Sequence, residues 1–256
     1  MTSENLPIYI AIGVAAILIG LSKGGLGGAI VVIITPTLAL VLPPKETKDA
    51  VGLSLPLLLL GDVFAVTMFW RKWDWPLIRR LLPGLVVGIV VGSILLPYLS
   101  AQAVRISIAG MVLVFCAYKI FETRLRKMLE TQQRETTKAR WWNAPLFAGT
   151  SGVASTVANA GGPIISVYFL MERLTPIPFI GTSALFFALA NTLKIPGLIN
   201  AGVLRTDMMW RVAWAAPLVP LGVWLGKVVV NYISPQAFEK IILILLFVAA
   251  IFLLLL

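Results

Sequence analysis

"GIVVGSILLPYLS" at residues 88–100 has a partner further along the chain, "GVWLGKVVVNYIS" at 222–234. Both read G-x3-G-x5-Y-x-S, and they lie 134 residues apart. At the same offset "GGAI" (27–30) meets "GGPI" (161–164), and Pro83 meets Pro217. Between these blocks the offset shortens to 129. There "GLSLPLLLLGD" (52–62) meets "GTSALFFALAN" (181–191), which makes Asp62 the counterpart of Asn191. The chain reads as two copies of one unit.

The surroundings of the repeat say what kind of unit it is. The 256 residues are 59% hydrophobic and only 12% charged, and the mean hydropathy is +0.95. Soluble domains carry about 25% charged residues. Apolar runs fall near 6–22, 28–42, 50–70, 81–99 and 103–121, then 144–158, 162–174, 177–200, 208–230 and 236–256. The expected fold is an all-α polytopic membrane protein with a first transmembrane repeat over 1–121, a linker over 122–143 and a second repeat over 144–256. Five runs per unit is an odd number, so the second copy enters the bilayer upside down. Inverted repeats place a transporter's site near the midplane, between the halves. The first two runs of each unit are shorter than the roughly 20 residues of a full crossing. They are either re-entrant hairpins or short spans.

Charge sets the orientation. The polar stretch "ETRLRKMLETQQRETTKAR" (122–140) is the basic linker. Placing it in the cytoplasm puts fifteen Lys and Arg inside and five outside, with Lys194 left in the membrane. This agrees with the positive-inside rule, and both termini then face out. The net charge of +10 is mainly this topology signal and implies no nucleic-acid partner. The first apolar run has no basic residue before it, so it reads as a retained part of the fold rather than a cleaved signal. Trp70, Trp73, Trp75, Trp141 and Trp142 stand near run ends, as an interfacial belt does. Pro36, Pro56 and Pro196 are expected to kink helices. Cys116 is a lone core cysteine, and the chain has no His.

The breaks between the short runs are "LSKGGLGG" (21–28) and "ASTVANAGG" (154–162). Backbone that leaves the helix at membrane depth must be buried in protein or line a wet cavity. A helix starts after each break, and helix N-termini suit an anion. Gly24, Gly25, Gly27, Gly28, Gly161 and Gly162 are the candidate turn and binding residues. Ser22, Ser155, Thr156, Asn159 and Asn191 supply hydroxyl and amide groups. Small residues at close helix contacts explain the same glycines without a ligand. Lys23 faces Val157 in the repeat, so it is either a site cation or a topology signal. Asp62 and Lys194 lie deep in apolar runs, where an ionisable group faces a cavity or a partner. Either they pair with each other, or Lys194 attracts an anion while Asp62 carries a coupling proton. No metal-ligand cluster, nucleotide fingerprint or catalytic constellation is present, so no cofactor, no metal and no catalytic residue is expected.

"GLSKGGLGG", "PP" at 43–44, "GD" at 61–62, "ANAGGPIISVYFL", "GTSALFFALAN-x2-K" and the paired G-x3-G glycines resemble the sulfite exporter TauE/SafE family, also called TSUP, over roughly 6–256. The resemblance implies a secondary transporter of the cell inner membrane that exports a small sulfur-containing anion, sulfite or an organosulfonate such as sulfoacetate, and is not an enzyme. It assigns the binding role to Ser22, Lys23, Gly24, Gly25, Gly27, Gly28, Ser155, Thr156, Asn159, Gly161, Gly162, Asn191 and Lys194, with Asp62 the candidate for proton coupling. Many members have His where this chain has Asn159, so a proton step through that His is not open to it. The other readings are an anion channel and a membrane-embedded enzyme acting on a lipid phosphate. The sequence leaves the oligomeric state open.

Overall fold

The computed structural model describes residues 6–23, 31–42, 49–98, 143–172, 174 and 176–232, and singly 102, 106, 109, 110, 113, 117 and 251. The described elements are all helices. They are α1 (Leu6–Leu21), α2 (Val31–Val41), α3 (Asp49–Met68), α4 (Trp75–Tyr98), α5 (Asn143–Ala158), α6 (Gly162–Met171), α7 (Pro176–Leu193), α8 (Ile195–Asn200), α9 (Thr206–Ala213) and α10 (Leu218–Tyr232). The fifth run of each unit (103–121 and 236–256), the linker 122–143 apart from Asn143, and the stretch 24–30 fall almost entirely outside the described residues. With them go Gly24, Gly25, Gly27, Gly28, Cys116, Trp141 and Trp142.

Length and composition make three stretches able to cross a bilayer: Asp49–Met68, Trp75–Tyr98 and Ile177–Asn200. In a bilayer every backbone group must be satisfied inside the segment, and a helix does so. α1, with 16 residues, is shorter than a full crossing, and α2 and α6 are shorter still. Two runs that read as continuous are interrupted. Pro196 has no N–H for the carbonyl one turn back, so the hydrogen-bond ladder is interrupted at Lys194, whose backbone stays helical, and α8 continues the stretch. The run 208–230 is a pair, α9 and α10, bent by 56°. The bend follows tight turns at 212–219, around Pro217.

Glycines bring helices close where the sequence repeats. A Cβ on Gly20 of α1 would lie 2.6 Å from the Cα of Gly222 on α10. One on Gly88 of α4 would lie 2.0 Å from the carbonyl oxygen of Gly149 on α5. Small residues permit this approach in membranes, where tight van der Waals packing replaces the hydrophobic drive. The buried side chains gather in two cores. One joins α1, α2 and α3 with α9 and α10; the other joins α4 with α5, α6 and α7. The outward face of α4 carries exposed Val87, Val90, Val91, Ile94 and Leu95. Such a stripe would be a liability in water and is an ordinary lipid-facing surface.

The cores meet at α3 and α7, and loops tie the ends of this pair. Near the start of α3, a Cβ on Gly52 would lie 1.9 Å from the Val203 carbonyl oxygen. There Arg205 reaches Asp49 at 3.1 Å and Asp207 at 3.2 Å. These bonds, Asp49 first, push the Arg205 guanidinium above its ordinary pKa. At the start of α7, the Asp74 N–H donates to Thr182 Oγ1 at 2.9 Å. Trp70 and Trp75 are exposed, and Trp70 meets Trp73 edge to face.

Candidate functional site

The second helix break is fully described, and its key residue explains itself. α5 ends at Ala158, and Asn159 takes φ = 53°, the left-handed conformation with which helices commonly stop. After Gly, Asn is among the residues that tolerate it best. α6 begins three residues later, at Gly162. Ser151 Oγ donates to the Gly161 carbonyl at 2.8 Å, which ties the turn back onto α5.

Asn159 is buried and its side chain is fully engaged. Its amide donates to Ser54 Oγ at 2.8 Å and to Thr35 Oγ1 at 3.2 Å, so the break is fastened to α2 and α3. Its carbonyl accepts from Lys194 Nζ at 2.5 Å. Lys194 has no exposed surface and also donates to the Ser155 carbonyl at 3.3 Å. Among the described residues it therefore rests on neutral oxygens, not on a carboxylate.

Asp62 is held elsewhere. The expected alternative of an Asp62–Lys194 pair is replaced by a pair between Asp62 and Lys23. Lys23 closes the end of α1, and its stem runs along Gly61: a Cβ there would lie 3.3 Å from Lys23 Cγ. The second Asp62 oxygen accepts from Asn191 Nδ2 at 2.5 Å. Asp62 and Asn191, counterparts in the repeat, thus meet where α3 crosses α7. Lys23 is more than a topology signal, because its side chain is only 9% exposed and neutralises a buried carboxylate.

Beside this junction lies a cavity of about 70 Å³, against the roughly 10–15 Å³ that one water requires. Ser22, Lys23, Ser155, Asn159, Gly162 and Asn191 line it. Both helix ends, from α1 and from α5, therefore contribute to one space. The sequence reading missed Ser166 and Ser183, two hydroxyls on its wall, and the aromatic residues Phe69, Phe179 and Phe187. The Ser166 and Ser183 hydroxyls belong to "ISVYF" and "GTSAL", which carry no sign of their direction. Lys23 Nζ stands 5.7 Å from the centre of the Phe187 ring, within cation–π range. Thr156 is directed away, since its hydroxyl donates to the Gly152 carbonyl and its side chain packs on Gly92 of α4. Gly161 sits against Ser151, and Asp62 and Lys194 stand behind the wall. Among the described residues no group of His, Cys, Asp and Glu could hold a metal ion.

Long apolar helices packed through glycine, with a charged and amide-rich junction buried beside an internal cavity, define a helical membrane protein with a polar interior. The chain belongs to the sulfite exporter TauE/SafE family, whose description matches residues 12–253. It is similar to the "Probable inner membrane transporter protein TsaS" of Comamonas testosteroni. The two are 24% identical over 179 residues, which is 69% of this chain and 71% of that protein. No solved structure matches the chain significantly. Family and relative together make this a membrane transporter, and neither description is that of an enzyme.

Proposed function

We propose that the chain is a secondary transporter that exports a small sulfur-containing anion, sulfite or an organosulfonate, through the cavity between α3 and α7. The supporting observation is that one cavity is lined by Lys23 and Ser22 from the end of α1 and by Ser155 and Asn159 from the end of α5. A cation, hydroxyls and amides on opposed helix ends suit an oxyanion. Asn191 and Gly162 complete its polar side. Asp62 holds Lys23. An arriving anion takes over Lys23, and Asp62 is then the group placed to accept a coupling proton. Lys194 contributes positive charge from behind Asn159.

In this reading the units 1–121 and 144–256 are inverted repeats joined by a cytoplasmic linker, with both termini outside. The reciprocal packing of α1 on α10 and α4 on α5 supports it, because each unit's first helix then meets the fourth run of the other. Rocking of one half against the other exposes the site to each side in turn. Proteoliposomes test the proposal. Saturable sulfite flux with trans-stimulation is expected, and it weakens when Lys23 becomes Gln. Unsaturable flux would mean a channel. Absence of flux with sulfite, thiosulfate and sulfoacetate would reject the reading.

A further inference from the structure

The cavity changes character along α3. That helix lines it with Leu58, Ala65 and Phe69, spaced to share one face. At the level of Asp62, on the same side, the charged and amide groups of Lys23 and Asn191 converge. Toward the end of α3 the wall residues are Phe69, Phe179 and Ile180, with Ser183 one turn further along α7 and Phe187 back beside Lys23. The Phe69 N–H donates to the Ala65 carbonyl at 3.0 Å, so the helical course runs on through this end. A rise of 1.5 Å per residue places Phe69 about 10 Å beyond Asp62. The start of α7, which supplies Phe179 and Ile180, lies at the same end, because Asp74 just beyond α3 bonds to Thr182. Ala65 stands between the polar end and the aromatic end.

The repeat shows what a larger side chain does at this position. At the 129-residue offset the counterpart of Ala65 is Lys194. Lys194 has no exposed surface, and its ammonium rests on Asn159 and on the Ser155 carbonyl. Ala65 offers only a methyl group, and the cavity lies against it.

We propose that Ala65 is the specificity-determining residue of the site. It separates a polar head compartment from an aromatic tail compartment. An inorganic oxyanion uses the head alone. An organic anion enters only because residue 65 is small enough to let its apolar tail pass toward Phe69 and Phe179. The proposal rests on the cavity being the transport site.

The test is paired flux of sulfite and butanesulfonate into proteoliposomes, with wild type, Ala65→Leu, Ala65→Val and Ala65→Gly. The butanesulfonate-to-sulfite ratio is expected to fall about tenfold or more in Ala65→Leu, the scale of a misfit of one methylene or more. It should fall less in Ala65→Val and hold in Ala65→Gly. If Ala65→Leu does not reach the membrane folded, a drop of about threefold in Ala65→Val supports the proposal on its own. A ratio unchanged in folded Ala65→Val overturns it, as does a wild type that moves sulfite but not butanesulfonate. A wild type that moves neither anion rejects the transport reading itself, a result distinct from either.

Discussion

Lys23, Asp62 and Asn191 form a unit whose members depend on each other. A buried ion pair contributes little net stability, but removing one member strands the other charge in a low-dielectric interior. Asp62→Asn is therefore expected to cost about 3–5 kcal/mol of stability. Lys23→Met combined with Asp62→Leu is expected to cost less than Asp62→Asn alone. Thermal unfolding in detergent of the single and double variants measures this, and additive losses would show that the two groups do not depend on each other. Asn159 is a different case, because it has both a backbone and a side-chain task. Asn159→Gly keeps the left-handed turn but leaves Lys194, Ser54 and Thr35 without their amide partner. Each buried group so left costs about 1–3 kcal/mol, so Asn159→Gly should melt well below wild type. Equal melting temperatures would mean that water or a neighbour replaces the amide. The depth of Asp62 and Lys194 was legible in the sequence, since both interrupt apolar runs. Their partners were not. A lysine side chain is long enough to choose among several acceptors, and helix spacing cannot say which neighbouring helix presents one.

The contact face of α4 was the most legible element, because close packing leaves a sequence mark: glycine at every fourth position, 84, 88 and 92, although which helix they meet was not legible. The structure grades these glycines. A Cβ on Gly88 would lie 2.0 Å from a backbone oxygen of α5, whereas one on Gly149 would have its nearest neighbour at 3.3 Å. Backbone cannot yield as a flexible side chain does. Gly88→Ala is expected to destabilise by several times more than Gly149→Ala, with about 1–3 kcal/mol at Gly88 from overpacking. Gly202 serves as a control, since its φ is +67° and a Cβ there meets nothing within 4 Å. Gly202→Ala should cost only the left-handed strain of about 1–2 kcal/mol. Denaturation of the purified variants in detergent ranks the three, and a Gly149→Ala loss equal to that of Gly88→Ala would contradict the packing. The bend between α9 and α10 and the interrupted ladder at Lys194 were hidden from the hydropathy pattern, which tracks burial and cannot see a missing N–H. Only the prolines mark those places, and Pro56, inside an unbroken α3, shows that proline alone does not decide.

At the scale of the molecule the two ends of the α3–α7 pair are closed by unequal contacts. Where α3 begins, the contact holds the Arg205–Asp49 ion pair as well as the tight seat of Gly52 on Val203. Where α7 begins, it holds the neutral bond from Asp74 to Thr182 and the packing of Gly181 on Lys72. The cavity reaches toward this second end, through Phe69 and Phe179. The Arg205 end is the outer face in the proposed topology, and the Arg205–Asp49 contact is the charged one of the two. Arg205 is about half exposed, so its pair contributes only about 0.2–1 kcal/mol. That is too little to endanger the fold. It is enough to move a balance between two conformations of similar energy by up to a few-fold. Asp49→Asn should therefore leave the melting temperature almost unchanged while raising access to the cavity from the Arg205 face. With Cys116→Ser as background and Ser183→Cys as reporter in the cavity wall, an impermeant thiol reagent reads this directly. Labelling from the Arg205 face should rise about two- to fivefold in Asp49→Asn and fall from the opposite face. A second change, Asp49→Glu, keeps a carboxylate for Arg205 and should hold the wild-type ratio. If labelling from both faces stays at the wild-type rate in Asp49→Asn, the Arg205–Asp49 contact plays no part in closing that end. Closure would then rest on the glycine-seated loop alone, and Gly52→Ala would be the variant that opens it.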